Sequence, residues 1–220
     1  MCRNDSSGLQ THKIRTLPHS NTSTVKIGIT GNIGSGKSTL AKTLACLGAC
    51  YFDADAEAKK LYQLPEVRNH IVHHIDSNIY NQNQINWAYL KTRFFKDSVL
   101  RTQLEEFPHP LVFKAYQTFE ELNHNSVCLF ESALIFEKNR SNAFKYIVLV
   151  TAPETIRLER VLKRGGSKDF FDLINAHQLP DYNKINNVSH PINNDGIKPI
   201  LYQLIEWMNQ WKTEYAKTHY

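Results

Sequence analysis

The sequence predicts an α/β fold in which a parallel five-stranded sheet is flanked by helices. Short, continuous apolar runs, at residues 127–130 and 146–150, are typical of parallel strands that are covered on both faces. Segments with helical spacing of apolar residues lie between these runs, as at residues 37–47. Alternation of this kind predicts a doubly wound sheet.

The predicted elements follow one another in a consistent order. Residues 25–30 form a first strand, which runs into a glycine-rich turn and a helix at 37–47. Gly48 ends that helix, and residues 49–52 form a second strand that ends at Asp53. A mostly helical stretch follows at 56–123, with a break at 81–83.

The second half repeats the alternation. Strands at 127–130 and 146–150 are followed by a charged segment of helical pattern at 153–185, a short strand at Pro191-Ile192 and an amphipathic helix at 197–216. We therefore expect one domain at 25–220 with two helical insertions, at 56–123 and 153–185. Residues 1–24 are polar and without periodicity, which predicts a disordered tail.

Composition excludes several classes of protein. The chain has 220 residues, of which 41% are hydrophobic, and this suits a globular domain with a sizeable core. No apolar run approaches the ~20 residues of a membrane helix, and residues 1–24 lack a secretory signal. We expect a cytoplasmic protein with free thiols. The net charge of +5 suits an anionic ligand but is too small and dispersed to indicate nucleic acid.

The turn after the first strand matches the motif G-x-x-x-x-G-K-[ST] at every fixed position, between a strand and a helix. In such a P-loop the backbone N–H groups and the helix N-terminus face phosphate oxygens. We expect the lysine to reach the β- and γ-phosphates and the serine hydroxyl to bind Mg²⁺. The expected ATP-binding residues are Gly31, Asn32, Ile33, Gly34, Ser35, Gly36, Lys37, Ser38 and Thr39.

Acidic residues narrow the class of P-loop protein. The chain has no Asn-Lys-x-Asp motif, which excludes a switch GTPase, and the third strand ends in Glu131 rather than aspartate. Small-molecule kinases carry an acidic group at the end of the second strand, where Asp53 and Asp55 lie. If this segment is extended, both carboxylates point the same way. One can then act as base or hydroxyl anchor and the other can support Mg²⁺ through water; alternatively, they cap the next helix.

A group of cations predicts a mobile lid. Arg157, Arg160 and Arg164 have the spacing of one helix face, and Gly165-Gly166 follows as a possible hinge. Arginines that close over a transferred phosphoryl group stabilise its charge. The alternative is a solvated charged face.

Together these motifs resemble the dephospho-coenzyme A kinase family from about Lys26 to the final helix. The features that carry the resemblance are the P-loop, Leu47-Gly48-Ala49 before Asp53-Ala54-Asp55, Leu104-Glu105 before His109-Pro110, Glu131 to Glu137, Val150-Thr151-Ala152-Pro153 with Arg160 and Arg164, Gln178, and Asn194-Asp195-Gly196.

The resemblance implies transfer of the ATP γ-phosphate to the ribose 3′-hydroxyl of dephospho-coenzyme A, the last step of coenzyme A synthesis. It implies that Asp55 is the catalytic base. The insertion at 56–123 becomes the acceptor-binding part, with Asp53, His109 and Glu131 also assigned to the acceptor.

The resemblance also assigns residues to the nucleotide. The insertion at 153–185 becomes the lid, with Arg160 and Arg164 toward ATP, and Lys37 and Arg164 join Asp55 as catalytic residues. Asn194 lies near the adenine. The expected cofactor is Mg²⁺ and the expected partners are ATP and dephospho-coenzyme A. We expect no nucleic acid, no membrane, and a monomer or weak homo-oligomer.

Three positions depart from the family pattern. Trp87 and Ile174 stand where arginines are usual, and Ser189 stands where aspartate is usual. Trp87 either stacks on the acceptor or packs. Two alternatives therefore stay open, a P-loop kinase for another nucleotide-like acceptor and an ATP-binding homologue with weakened catalysis.

Overall fold

The computed structural model describes residues 24–124 and 126–219. In chain order its helices and strands are β1 (Val25–Thr30), α1 (Lys37–Cys46), β2 (Cys50–Asp53), α2 (Ala54–Leu61), α3 (Pro65–His74), β3 (Tyr80–Asn81), β4 (Gln84–Ile85), α4 (Trp87–Lys96), α5 (Ser98–Glu106), α6 (Pro108–Leu122), β5 (Val127–Glu131), β6 (Tyr146–Thr151), α7 (Glu154–Lys163), α8 (Lys168–His177), α9 (Asp181–Lys184), β7 (His190–Asn193) and α10 (Ile200–His219). The predicted tail lies outside the described residues apart from Thr24.

The central sheet has five parallel strands in the order β2-β5-β1-β6-β7. This confirms the predicted sheet, including its short fifth strand. Register pairs Ile29 of β1 with Glu131 of β5, and Glu131 in turn with Asp53 of β2. The carboxyl ends of these strands therefore meet at one edge, which is where ligands bind in open α/β sheets.

Helices cover both faces of the sheet. On one face α10 places Leu204, Trp207, Met208 and Trp211 at helical spacing against the sheet and α1. On the other face α2 and α6 pack around Tyr116, which lies 4.9 Å from the ring of Phe130 on β5. This two-sided burial explains why the strands read as continuous apolar runs.

The insertion at 56–123 has its own apolar cluster, formed by Val67, Ile71 and Leu104 with neighbours from α4 and α5. The predicted break at 81–83 is the turn of a small antiparallel hairpin, β3–β4, in which Gln82 and Asn83 have positive φ. The hairpin itself was not predicted, because each strand has only two residues. The second insertion, at 153–185, contains α7, α8 and α9.

No helix among the residues that the structure describes is long and apolar enough to cross a membrane.

Candidate active site

The P-loop connects β1 to α1, and side chains from distant parts of the chain hold its backbone. The peptide groups of Ile33 are bound on both sides: its N–H donates to Gln178 Oε1 at 2.7 Å, and its carbonyl accepts from Arg157 Nη1 at 3.3 Å. Asn194 Nδ2 donates to the Ser35 carbonyl at 2.7 Å. These side chains bind carbonyl groups of the loop, so the N–H groups that follow in the loop can face a phosphate.

Glycine is required where these side chains approach the loop. Gly36 has a φ of +103°, and a Cβ there would lie 2.2 Å from Asn194 Nδ2. An alanine at this position would therefore be strained and would displace Asn194.

Lys184 is a buried anchor of the loop that sequence reasoning missed. Its side chain is 0% exposed, and its ammonium group donates to Asn32 Oδ1 at 2.9 Å and pairs with Glu137 Oε1 at 3.0 Å. The same Glu137 oxygen accepts from the Leu179 N–H at 2.8 Å. Nothing local in the sequence marks Lys184, because its partner Asn32 is 152 residues away in the chain.

Arg157 is also an anchor rather than a mobile cation. It is buried, and it donates to the Ala152 carbonyl at 3.1 Å and to Asn175 Oδ1 at 2.7 Å in addition to Ile33. Its guanidinium group lies 5.3 Å from the centre of the Phe171 ring. The prediction that Arg157 belongs to a movable or solvated face is therefore wrong, since a buried charge needs partners of this kind and they hold the side chain in place.

Arg160 and Arg164 lie at a cleft beside the loop. The cleft has a volume of about 430 Å³, and its lining includes Thr39, Arg160, Arg164 and Asn194. Arg160 donates to the Asn194 carbonyl at 2.8 Å and to loop carbonyls at 3.3 Å, so it is fixed in place. Arg164 is exposed, and its Nε donates to the Arg160 carbonyl at 3.1 Å.

The two aspartates after β2 have different environments. Asp53 is the N-cap of α2 and accepts from the Ala56 N–H at 2.9 Å, while Asp55 lies in the first turn of α2. The helix begins at Ala54, so the predicted extended geometry for this pair is wrong: capping by Asp53 favours helix directly after it. The capping alternative is correct for Asp53.

Asp55 and Lys37 lie close enough to interact electrostatically, each in the first turn of a helix. The Asp55 side chain keeps part of its surface open to the cleft, yet the surrounding protein removes enough water to raise its pKa above the usual carboxyl value. The positive charge of Lys37 acts in the opposite direction. Burial likewise lowers the pKa of Lys37, and Asp55 opposes that shift.

Glu131 joins the P-loop serine to β2. It is only 6% exposed; its Oε1 accepts from the Ser38 hydroxyl at 2.6 Å, and its Oε2 accepts from the Tyr51 hydroxyl. Burial, and next the bond to Glu131, raises the pKa of Tyr51, so the phenol stays protonated and donates. The structure thus places Glu131 on the P-loop side, whereas the sequence assigned it to the acceptor.

This arrangement fits a magnesium ion that is bound with a nucleotide. Among the residues described, no group of three or more His, Cys, Asp or Glu could hold a metal by itself. Mg²⁺ commonly takes few protein ligands and fills its shell with phosphate oxygens and water. A serine hydroxyl bonded to a buried carboxylate supplies one ligand and one acceptor for such water.

A second cavity, of about 190 Å³, opens beside Asp55 and is mostly apolar. Its lining includes Tyr62, Leu104, Val112 and Phe113 from the insertion at 56–123. Trp87 is 44% exposed and packs edge-on against the cavity residue Tyr62, with ring centres 6.2 Å apart. His109 lies in α6, but its side chain is not among those described.

Comparison with known proteins identifies the family. A family model described as dephospho-CoA kinase matches residues 25–199. The chain belongs to the dephospho-CoA kinase family. A dephospho-CoA kinase of Bacteroides fragilis is 30% identical over 203 residues, which cover 89% of this chain and 96% of that protein.

Solved structures share the fold of this chain. A crystal structure of a Thermus thermophilus protein has a TM-score of 0.71 and 28% identity, and covers 86% of this chain and 97% of its own. A dephospho-CoA kinase from Campylobacter jejuni has a TM-score of 0.59 at 20% identity, covering 90% of this chain and all of that one, and shows the shared fold. The resemblance drawn from the sequence is confirmed. Within this dephospho-CoA kinase fold, the residues that sequence reasoning missed are Lys184, Glu137 as its partner, and Tyr51.

Proposed function

We propose that this protein transfers the γ-phosphate of ATP to the ribose 3′-hydroxyl of dephospho-coenzyme A, giving coenzyme A and ADP. The observation that carries the proposal is the position of Asp55. It lies beside the P-loop Lys37 and also lines the apolar cavity of the helical insertion. A carboxylate there is in reach of both a bound triphosphate and a hydroxyl group presented from that cavity.

In the proposed reaction Asp55 accepts the proton of the 3′-hydroxyl. The freed oxygen pair forms a bond to the γ-phosphorus, and the bond between that phosphorus and the β,γ-bridging oxygen breaks, so that ADP leaves. Lys37 and Arg164 lie against the negative charge that moves onto the departing phosphates. Asp53 orients Asp55 by fixing the start of α2.

Ser38 and Glu131 are the residues that would hold a Mg²⁺ ion with the nucleotide. Such an ion, when bound, neutralises phosphate charge and orients the γ-phosphate. The Ser38 hydroxyl donates a hydrogen bond to Glu131, which leaves the lone pairs of the Ser38 oxygen available to a cation. We assign Glu131 to this role rather than to the acceptor.

The two insertions divide the substrates between them. Residues 56–123 bind the acceptor, and the cavity beside Asp55 is its binding site. Residues 153–185 act as the lid. Because Arg157, Arg160, Gln178 and Lys184 are bonded to the P-loop, and α8 is held to Arg157 through Asn175, their moving part is confined to the turn at 164–167 between α7 and α8. The cytoplasmic location and the monomeric or weakly oligomeric state stay predictions.

The test is formation of ADP from Mg-ATP with and without dephospho-coenzyme A. We expect ADP only with the acceptor, and a product that carries a 3′-phosphate. Asp55→Asn should lower kcat about 10²–10⁴-fold and leave ATP affinity nearly unchanged, as expected for loss of a general base. Equal ADP formation without the acceptor, or turnover of a different nucleotide in its place, would refute the proposal. Tight ATP binding with no product from any acceptor would favour a homologue with weakened catalysis.

A further inference from the structure

Two cations stand out in the lining of the cavity beside Asp55. Lys138 and Arg140 both line it, although most of its surface comes from aliphatic and aromatic side chains. Both follow β5 in one tight turn, where the N–H groups of Lys138 and Arg140 donate to the carbonyls of Leu134 and Ile135 at 3.0 and 2.9 Å. The turn therefore fixes where both cations enter the cavity.

The Arg140 guanidinium group is positioned by an aromatic ring rather than by an acid. Its Cζ atom lies 4.2 Å from the centre of the Phe113 ring, which is also part of the cavity wall. Other arginines have acidic partners: Arg93 pairs with Asp97, and Arg157 pairs with Glu154. Among the side chains that the structure describes, no carboxylate lies within 4.0 Å of a nitrogen of Arg140. Stacking occupies the face of a guanidinium group and leaves its edge N–H groups able to donate.

A planar fork of donors beside an apolar wall is suited to a phosphate group, which accepts two of its N–H bonds at once. The proposed acceptor has such a group close to its reactive hydroxyl, because a diphosphate joins the 5′-carbon of its ribose to the pantetheine arm. We propose that Arg140, assisted by Lys138, binds the diphosphate of the acceptor, while the apolar wall of the cavity takes an uncharged part of the same molecule.

This proposal rests on the proposed function and adds a specificity determinant to it. It means that the acceptor is recognised at two points of one cavity, its hydroxyl group at Asp55 and its diphosphate at Arg140. An acceptor that has the ribose but no diphosphate keeps the contact with Asp55 and loses only the contact with Arg140.

The experiment compares dephospho-coenzyme A with adenosine as acceptor, in the wild type and in Arg140→Met. Methionine keeps an apolar contact with Phe113 and removes the charge. We expect the KM for dephospho-coenzyme A to rise about 10- to 100-fold, since bonds to a charged group are lost, while the KM for ATP stays within about twofold. The kcat/KM for adenosine should not change. Arg140→Lys should recover part of the loss.

Lys145→Met is the matched control, because Lys145 also lies over a ring, that of Tyr146 at 5.7 Å, but does not line this cavity. It should leave both acceptors unchanged. An equal loss for adenosine and dephospho-coenzyme A in Arg140→Met would indicate a packing role and overturn the proposal, as would no loss for either.

Calorimetric titration of dephospho-coenzyme A without ATP separates this proposal from the proposed function. If the wild type forms no ADP with any acceptor, the proposed function fails. Weaker binding of dephospho-coenzyme A to Arg140→Met than to the wild type would still support the diphosphate site, and equal binding would overturn it.

Discussion

Lys184 Nζ and Asn32 Oδ1 lie 2.9 Å apart, so a fully buried ammonium group touches the side chain of the second P-loop residue. Glu137, on the far side of the same ammonium group, balances its charge at 3.0 Å. The loop that binds phosphate is therefore supported by an ion pair that has almost no contact with solvent.

Lys184→Met should destabilise the protein by about 3–5 kcal/mol, because it leaves the carboxylate of Glu137 buried without its partner. Chemical denaturation measures the free energy of unfolding, and the KM for ATP should rise as Asn32 loses its support. The double variant Lys184→Met/Glu137→Gln should regain part of the stability. Lys163→Met is the control for stability. The exposed Lys163–Glu159 pair is screened by water, so this substitution should change the free energy of unfolding little. Equal stability of Lys184→Met and Lys163→Met would contradict the prediction.

Gln178→Leu should leave the Ile33 N–H without its 2.7 Å acceptor. An unpaired buried donor costs about 1–3 kcal/mol, so the KM for ATP should rise about tenfold if that cost falls on the shape of the loop. Gln178→Glu keeps an acceptor at the same length and should be affected less. Both values come from initial rates at saturating acceptor. A fall in kcat alone, with the KM unchanged, would show that Gln178 does not act through the loop.

The pH dependence of kcat/KM for the acceptor should report Asp55, because this ratio follows the ionisation of groups in the free enzyme. Its pKa is raised mainly by loss of water, so the base form is lost as pH falls through a value above that of an ordinary carboxyl group. The acidic limb of the rate profile should lie at correspondingly higher pH and should be absent in Asp55→Asn.

The free energy of unfolding should depend on the ionisation of Asp55 as well. The charged carboxylate is disfavoured in the folded state, so it destabilises the protein above its folded pKa, and this cost is absent below the unfolded value. Asp55→Asn should therefore have the higher Tm at pH 8, with a difference that shrinks in acid. A Tm difference that grows in acid would contradict this.

Glu131→Gln should weaken the dependence of nucleotide binding on Mg²⁺. Glutamine has one acceptor oxygen in place of two and no charge, so it keeps the bond from Ser38 or the one from Tyr51 but not both. Loss of such a supporting group typically lowers metal affinity about 10–100-fold. The measurement is ADP affinity as a function of Mg²⁺ concentration, with no turnover involved. Glu121→Gln, at an exposed carboxylate of α6, serves as control. Identical Mg²⁺ curves for wild type and Glu131→Gln would refute the role given to Glu131.

Elements whose signal is local could be predicted from the sequence. The strands β5 and β6 contain continuous apolar runs, and the P-loop is fixed by glycines, a lysine and a serine within eight positions. The hairpin β3–β4 was missed because two residues are too few to show alternation. The extended geometry predicted for Asp53 and Asp55 was wrong. Strand continuation and helix capping compete after β2, and capping by Asp53 prevails.

Contacts between distant segments could not be predicted in the same way. Arg157 has the spacing of a solvated helix face, yet packing of α8 against α7 buries it over Phe171. Tyr51 looked like an ordinary strand residue, and only the pairing of β2 with β5 brings its hydroxyl to Glu131. The hydrophobic pattern of one segment predicts its secondary structure but not the distant residues that it contacts.

Ile33 has one bond to residue 157 and one to residue 178, and Ser35 is held by residue 194. During synthesis the phosphate loop leaves the ribosome long before any of these three side chains exists. A nascent chain that ends before residue 157 has the complete glycine motif and none of these three side chains. We therefore expect the loop to take its final shape late in synthesis, once the chain has reached Asn194.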